Sequence, residues 1–146
     1  MSTIHFTLPI CPKSTQYGNR GFVRNGKLMF FTDKEKRNYQ ATVSLHAAQY
    51  KPSTPLDGPI ELHFIFIVPR PKYLEAKKCP DGLIPCAKKP DYDNLAKGTQ
   101  DALSNAGFWV NDSQIFDARI QKFYAERNGS PRIGVTIKQT TYQEST

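Results

Sequence analysis

The chain has 146 residues, with 20 Lys and Arg against 13 Asp and Glu and a net charge of +7. That length suits one domain. Hydrophobic residues at 38%, including nine Phe, seven Tyr and one Trp, supply a core and exclude a disordered polyelectrolyte. The longest apolar run, residues 60–68, is too short to span a bilayer, and residues 1–9 lack the pattern of a signal peptide. The expectation is a soluble cytoplasmic protein with no membrane association.

Residues 2–8 alternate, with Ile4, Phe6 and Leu8 on one face, which predicts a strand. Residues 9–31 read as a loop punctuated by Pro9, Pro12, Gly18, Gly21 and Gly26, with a hairpin around Arg24-Asn25-Gly26-Lys27. Thr32-Asp33-Lys34-Glu35 has the form of a capping box, so a helix should start there. Tyr39, Val43, His46 or Ala47, and Tyr50 recur at helical spacing, and Pro52 and Pro55 end the helix. Residues 60–68 are the clearest strand, with Ile60, Leu62, Phe64, Phe66 and Val68 on one face and a second half apolar on both sides.

Residues 69–90 hold five of the eleven prolines and six Lys or Arg without an apolar period, and read as a long functional loop. A second helix is expected over residues 93–107, with Leu95, Ala102, Leu103 and Ala106 facing the core and Gly107 as its cap. Asn111-Asp112-Ser113 reads as a turn. Strands follow over 114–125 and 132–138, paired as a hairpin about Arg127-Asn128-Gly129-Ser130. The fold class is therefore α+β: one domain over residues 1–138, a mixed sheet of four to five strands with two helices, and a frayed polar tail over 139–146.

Cys11, Cys79 and Cys86 are an odd count, form no CxxC pair and are not flanked by His5, His46 or His63 at zinc-ligand spacing. Three free thiols in a reducing compartment are expected. The charge is uneven: residues 1–37 carry seven Lys or Arg against two acids, whereas residues 98–146 carry five of each. A concentrated basic excess attracts polyanions.

The densest chemistry lies in Lys89-Pro90-Asp91-Tyr92-Asp93-Asn94-Leu95. If residues 90–93 are extended, Asp91 and Asp93 project to one face, where a divalent cation would relieve their repulsion. Lys97, one helical turn after Asp93, can return toward the same site and offset charge at a phosphate. The bland alternative is a helix capped by Asp93 and braced by an Asp93–Lys97 pair. Asp112 and Asp117 are both candidates for a third carboxylate, and spacing alone does not place either beside Asp91.

Residues 89–115, KPDYDNLAKGTQDALSNAGFWVNDSQI, resemble the signature of the RusA family of Holliday junction resolvases. The matching positions are Asp91, Asp93, Asn94, Leu95 and Lys97, then Asp101-Ala102-Leu103, then Gly107 and Asn111-Asp112-Ser113-Gln114. The resemblance implies a homodimer that binds four-way DNA junctions and nicks two strands symmetrically with Mg²⁺, or Mn²⁺ as substitute, and no organic cofactor. It implies Asp91, Asp93 and Asp112 as metal ligands and Lys97 as the essential lysine. It also implies 5′-phosphate and 3′-hydroxyl products and an origin often in phages or prophages. Asn111 departs from the family's Asp-Asp pair at the position that is not the ligand. For the DNA backbone, Lys13, Arg20, Arg24 and Lys27 are the first candidates, with Lys88 and Lys89 and then Lys72, Lys77 and Lys78. Phe108 and Trp109 are expected to be packing residues rather than base-stacking ones. The competing readings are a non-cleaving junction-binding prophage remnant and a metal-dependent phosphoesterase of small substrates.

Overall fold

The computed structural model describes residues 2–14, 21–24, 27–30 and 33–140, with backbone alone for 21–24, 27–30 and 33. Its elements are β1 (Ser2–Leu8), β2 (Gly21–Arg24), β3 (Lys27–Phe30), α1 (Asp33–Ala47), β4 (Ile60–Val68), β5 (Ile84–Pro85), α2 (Tyr92–Ala106), β6 (Ile115–Tyr124) and β7 (Arg132–Gln139). Five strands form one mixed sheet in the order β1-β7-β4-β6-β5, and β2 and β3 form a separate antiparallel pair. The expected hairpin is present in the Arg24–Lys27 pairing. Its Asn25-Gly26 turn and the Thr32 cap lie outside the described residues.

Alternation builds the sheet. Phe6 and Leu8 of β1, Ile133, Val135 and Ile137 of β7, and Ile60, Leu62, Phe64 and Phe66 of β4 are all buried on one face. The two helices cover that face. α1 contributes Tyr39, Val43 and Ala47, and α2 contributes Leu95, Thr99, Ala102 and Leu103. His46 stays exposed, and Tyr50 stacks on Phe6 from the turn beyond α1, ring centroids 4.7 Å apart. Phe108 and Trp109 close the core, as the sequence suggested. Gly107 ends α2 at φ 95°, a left-handed conformation in which glycine carries no Cβ penalty.

The expected hairpin of the last two strands does not form. β4 lies between them, parallel to β6 and antiparallel to β7. The last three residues of β4, Phe66, Ile67 and Val68, are all buried, as in a central strand covered on both faces. Residues 125–131 therefore cross the end of β4, about 10 Å from one flanking strand to the other. Ala125 N–H donates to the Val68 carbonyl at 2.9 Å, and Arg132 forks onto Glu126 at 2.8 and 2.9 Å to fix the crossing. β7 also runs one residue beyond its expected end, and Thr140 N–H donates to Pro59.

The proline-rich segment is ordered by two arginines rather than by an apolar face. The Arg70 guanidinium donates to the carbonyls of Leu74, Pro80, Gly82 and Ala125. Arg127 donates to Asp81 at 2.6 Å and to the carbonyls of Glu75, Ala76 and Cys79. Pairing of β5 with the end of β6 holds the segment's far side. All three cysteines are free thiols, Cys86 buried.

Candidate active site

α2 begins one residue earlier than expected, and this changes the geometry of the acidic pair. Asp91 is extended (φ −69°, ψ 144°) and stands at the N-cap, while Asp93 lies inside the first helical turn. The two carboxylates therefore belong to a helix start, not to a four-residue extended stretch. Asp91, Tyr92 and Asp93 are all exposed. The Asp91 side chain makes no capping hydrogen bond, although aspartate ordinarily caps from this position. Asp93 Oδ1 accepts from Asn94 N–H at 3.0 Å. Lys97 pairs loosely forward with Asp101 at 3.9 Å rather than back to Asp93. Its exposed ammonium remains at the same end of the helix.

The turn before Asp91 is pinned to the sheet. Lys122 of β6 donates from Nζ to the carbonyls of Lys88 and Pro90, each at 2.6 Å. Cys86 N–H donates to the Lys122 carbonyl at 3.0 Å, and the Cys86 thiol reaches the Lys88 carbonyl at 3.4 Å. Lys88 Nζ lies 5.1 Å from the centre of the Tyr73 ring. Tyr73 in turn meets Tyr124 through their hydroxyls, and that hydrogen bond, followed by the one to Cys86, pushes the Tyr124 phenol well above its ordinary pKa.

Asp112 is elsewhere. It accepts from Trp109 Nε1 at 2.7 Å, in a turn that Asn111 and Gln114 cap reciprocally. Asn111 thus has a capping role that asparagine and aspartate fill equally well. Gln114 ties this turn to Leu56 and Gly58 at the start of β4. The opposite end of the fold carries Asp91, because Lys122 reaches Pro90 from the far end of β6. Both α2 and the stretch of β6 from Ile115 to Lys122 put about 20 Å between the two aspartates. Among the described residues, no three His, Cys, Asp or Glu side chains of one chain gather as a metal-ligating group. Asp117, the other candidate, lies on β6 opposite Glu61, near that same distant end.

The basic residues at the start of α1 come to the Asp91 end. Gln40 donates to the Gly98 carbonyl at 3.3 Å and Ser44 to the Ala102 carbonyl at 2.8 Å. The same offset of 58 residues recurs in both bonds, so α1 and α2 run parallel. Their N-termini, with positive dipole ends, therefore lie side by side. Lys34, Lys36 and Arg37 of α1, interleaved with Asp33 and Glu35, come to the same end as Asp91, Asp93 and Lys97. Lys13, Lys88 and Lys89 are exposed. Arg20 lies outside the described residues, and Arg24 and Lys27 are described only as the last pair of the β2–β3 ladder.

The family model described as Endodeoxyribonuclease RusA matches residues 9–138, which include every element from α1 to β6 and all four candidate site residues. The chain belongs to the RusA family. It is 33% identical over 143 residues to the Bacillus subtilis protein YqaN, a protein described as uncharacterized, covering 90% of this chain and 98% of YqaN. It is 38% identical over 53 residues to the crossover junction endodeoxyribonucleases RusA of Enterobacteria phage 82 and of Escherichia coli K12. Those matches cover 36% of this chain and 44% of each RusA enzyme.

The RusA signature led to Asp91, Asp93, Lys97 and Asp112 but not to the residues that hold the site in place. Arg70 is the most buried cation of the proline-rich segment, its side chain 3% exposed. Its surroundings in sequence resemble those of its solvated neighbours, so no local signal marked it. Lys122 likewise reads in sequence as an ordinary polar residue of a strand, and only the fold brings it to the turn before Asp91.

Proposed function

We propose that this RusA-family nuclease is a Mg²⁺-dependent resolvase of four-way DNA junctions that acts as a homodimer in the cytoplasm. The observation that carries the reading is the parallel packing of α1 and α2. It brings two positive helix ends, with Lys34, Lys36 and Arg37 of α1, to the end of the molecule that holds Asp91 and Asp93. A phosphodiester is attracted there, whereas acidic residues alone would repel it.

The donor set suits a hard divalent cation. Asp91 leaves both carboxylate oxygens free of its own helix, and Asp93 uses one oxygen on Asn94. Magnesium typically takes one or two carboxylates and completes its shell with waters and substrate phosphate. When bound there, such a cation would supply Lewis acidity at the phosphoryl oxygen and a more acidic water. Asp91 and Asp93 hold and orient, and Lys97 offsets charge on the non-bridging oxygens. Hydrolysis breaks the bond to the 3′ oxygen, leaving a 5′-phosphate and a 3′-hydroxyl.

Asp112 of the same chain, about 20 Å away along α2, is too far to join Asp91 and Asp93. A two-fold partner supplies Asp112 of the partner subunit instead. The exposure of Val110 (67%) and Phe116 (61%), which flank Asp112 in sequence, supports a contact surface there. The arrangement would give two sites about one two-fold axis, matching the symmetry of a junction cut on opposed strands.

A labelled four-way junction, incubated with Mg²⁺ beside a linear duplex of the same sequence, tests the reading. Paired symmetric nicks in the junction alone, absent with Asp93→Asn, are expected. Binding without nicks would make the protein a junction binder, and nicking of the linear duplex at equal rate would remove the structural selectivity.

A further inference from the structure

We infer that Lys122 is a positioning residue for the acidic pair: it fixes the peptide that precedes Asp91 and thereby sets how Asp91 and Asp93 present their oxygens. The inference rests on Asp91 and Asp93 being the metal-binding pair.

The geometry is specific. A lysine has three donors, and Lys122 commits two of them to the carbonyls of Lys88 and Pro90, both at 2.6 Å. Charge-assisted bonds of that length are among the stronger ones available to a side chain. The Pro90 carbonyl belongs to the same peptide unit as the Asp91 nitrogen, so holding it restrains the backbone that aims the Asp91 side chain. No capping bond holds that side chain from the helix side. Apart from the Leu95 N–H bond to the Asp91 carbonyl, 3.2 Å, the restraint on this corner comes from β6. The Lys122 main chain adds to it, since its carbonyl accepts Cys86 N–H. Among the described residues Lys122 forms no ion pair within 4.0 Å, so its charge is not cancelled locally.

Partners that orient metal ligands from behind typically govern metal affinity by 10- to 100-fold. The test uses the full-length protein and Mn²⁺ as the probe, with free Mn²⁺ read by electron paramagnetic resonance. Wild type, Lys122→Met, Lys122→Arg and Asp93→Asn are compared. Lys122→Met should weaken Mn²⁺ binding roughly ten-fold and shift the Mg²⁺ dependence of junction cleavage to higher concentration. Cleavage at saturating metal should largely recover. Lys122→Arg, which keeps a cation with several donors, should restore most of the affinity, and circular dichroism should show an unfolding midpoint close to wild type for both.

Unchanged Mn²⁺ affinity in Lys122→Met would overturn the inference. So would equal losses in Lys122→Met and Lys122→Arg that track a common fall in unfolding temperature, since that marks a merely structural lysine. Failure of the underlying site is distinguishable: Asp93→Asn would then bind Mn²⁺ as well as wild type.

Discussion

Asp91 occupies the position from which an aspartate ordinarily satisfies the first amides of a helix, yet its side chain makes no such bond. An unspent carboxylate at a helix start, beside Asp93, which lies one turn before Lys97, is suited to binding rather than to folding. Lys97 is exposed and only loosely engaged with Asp101, so its removal should spare stability. Lys97→Met is expected to fold and bind junction DNA but to cleave about 100-fold more slowly at saturating Mg²⁺, measured in single-turnover assays. The contrary case lies in the core. Among the described residues, the hydroxyls of Tyr39 and Thr99 are buried without a hydrogen-bond partner. Burial raises the Tyr39 phenol above its ordinary pKa. Thr99→Val keeps the shape and removes one unsatisfied group, so denaturant unfolding should show a gain of about 1 kcal/mol.

Among the elements, β4 governs the sheet and the proline-rich segment governs the site's surroundings. β4 buries Phe64 and Phe66 completely, and this apolar content draws β6 and β7 to its two edges instead of to each other. The proline-rich segment has no comparable apolar payload. Its order depends on Arg70 and Arg127, which cap carbonyls that a loop otherwise leaves to water. Arg127→Ala removes its donors to Asp81, Glu75, Ala76 and Cys79 together. Limited trypsin digestion should then cut after Lys77 and Lys78 markedly faster than in wild type, while α2 and the sheet stay protected. Equal cleavage rates would show that β5 and Arg70 suffice to hold the segment.

On the scale of the whole molecule, parallel helices concentrate positive potential at one end, and α2 separates Asp112 from Asp91 by its full length. On the proposed reading, a site that needs all three aspartates is shared between two copies. This makes a clear prediction for mixed dimers. Asp91→Asn and Asp112→Asn proteins should each be inactive alone. If each site draws Asp112 from the partner subunit, a mixed dimer contains one intact site. Nicking of a single strand should therefore return on mixing and subunit exchange. If each site were internal to one chain, every site in the mixed dimer would lack an aspartate, and mixing would restore nothing.

The elements were legible from the sequence, because alternation and helical spacing report which residues must be buried. α1, α2 and β4 appear where Tyr39-Val43-Ala47, Leu95-Ala102-Leu103 and Ile60–Val68 place them. The family, too, was legible, through the spacing of Asp91, Asp93, Lys97 and Asp112. Three things were settled only by tertiary structure: that β4 enters between β6 and β7, that Lys122 reaches the turn before Asp91, and that Asp112 lies at the far end of α2. Local patterning fixes which face of an element is apolar, since that depends on neighbours a few residues apart. Which elements become neighbours, and which end of one meets which end of another, depends on pairing across 50 residues or more, where spacing carries no distance.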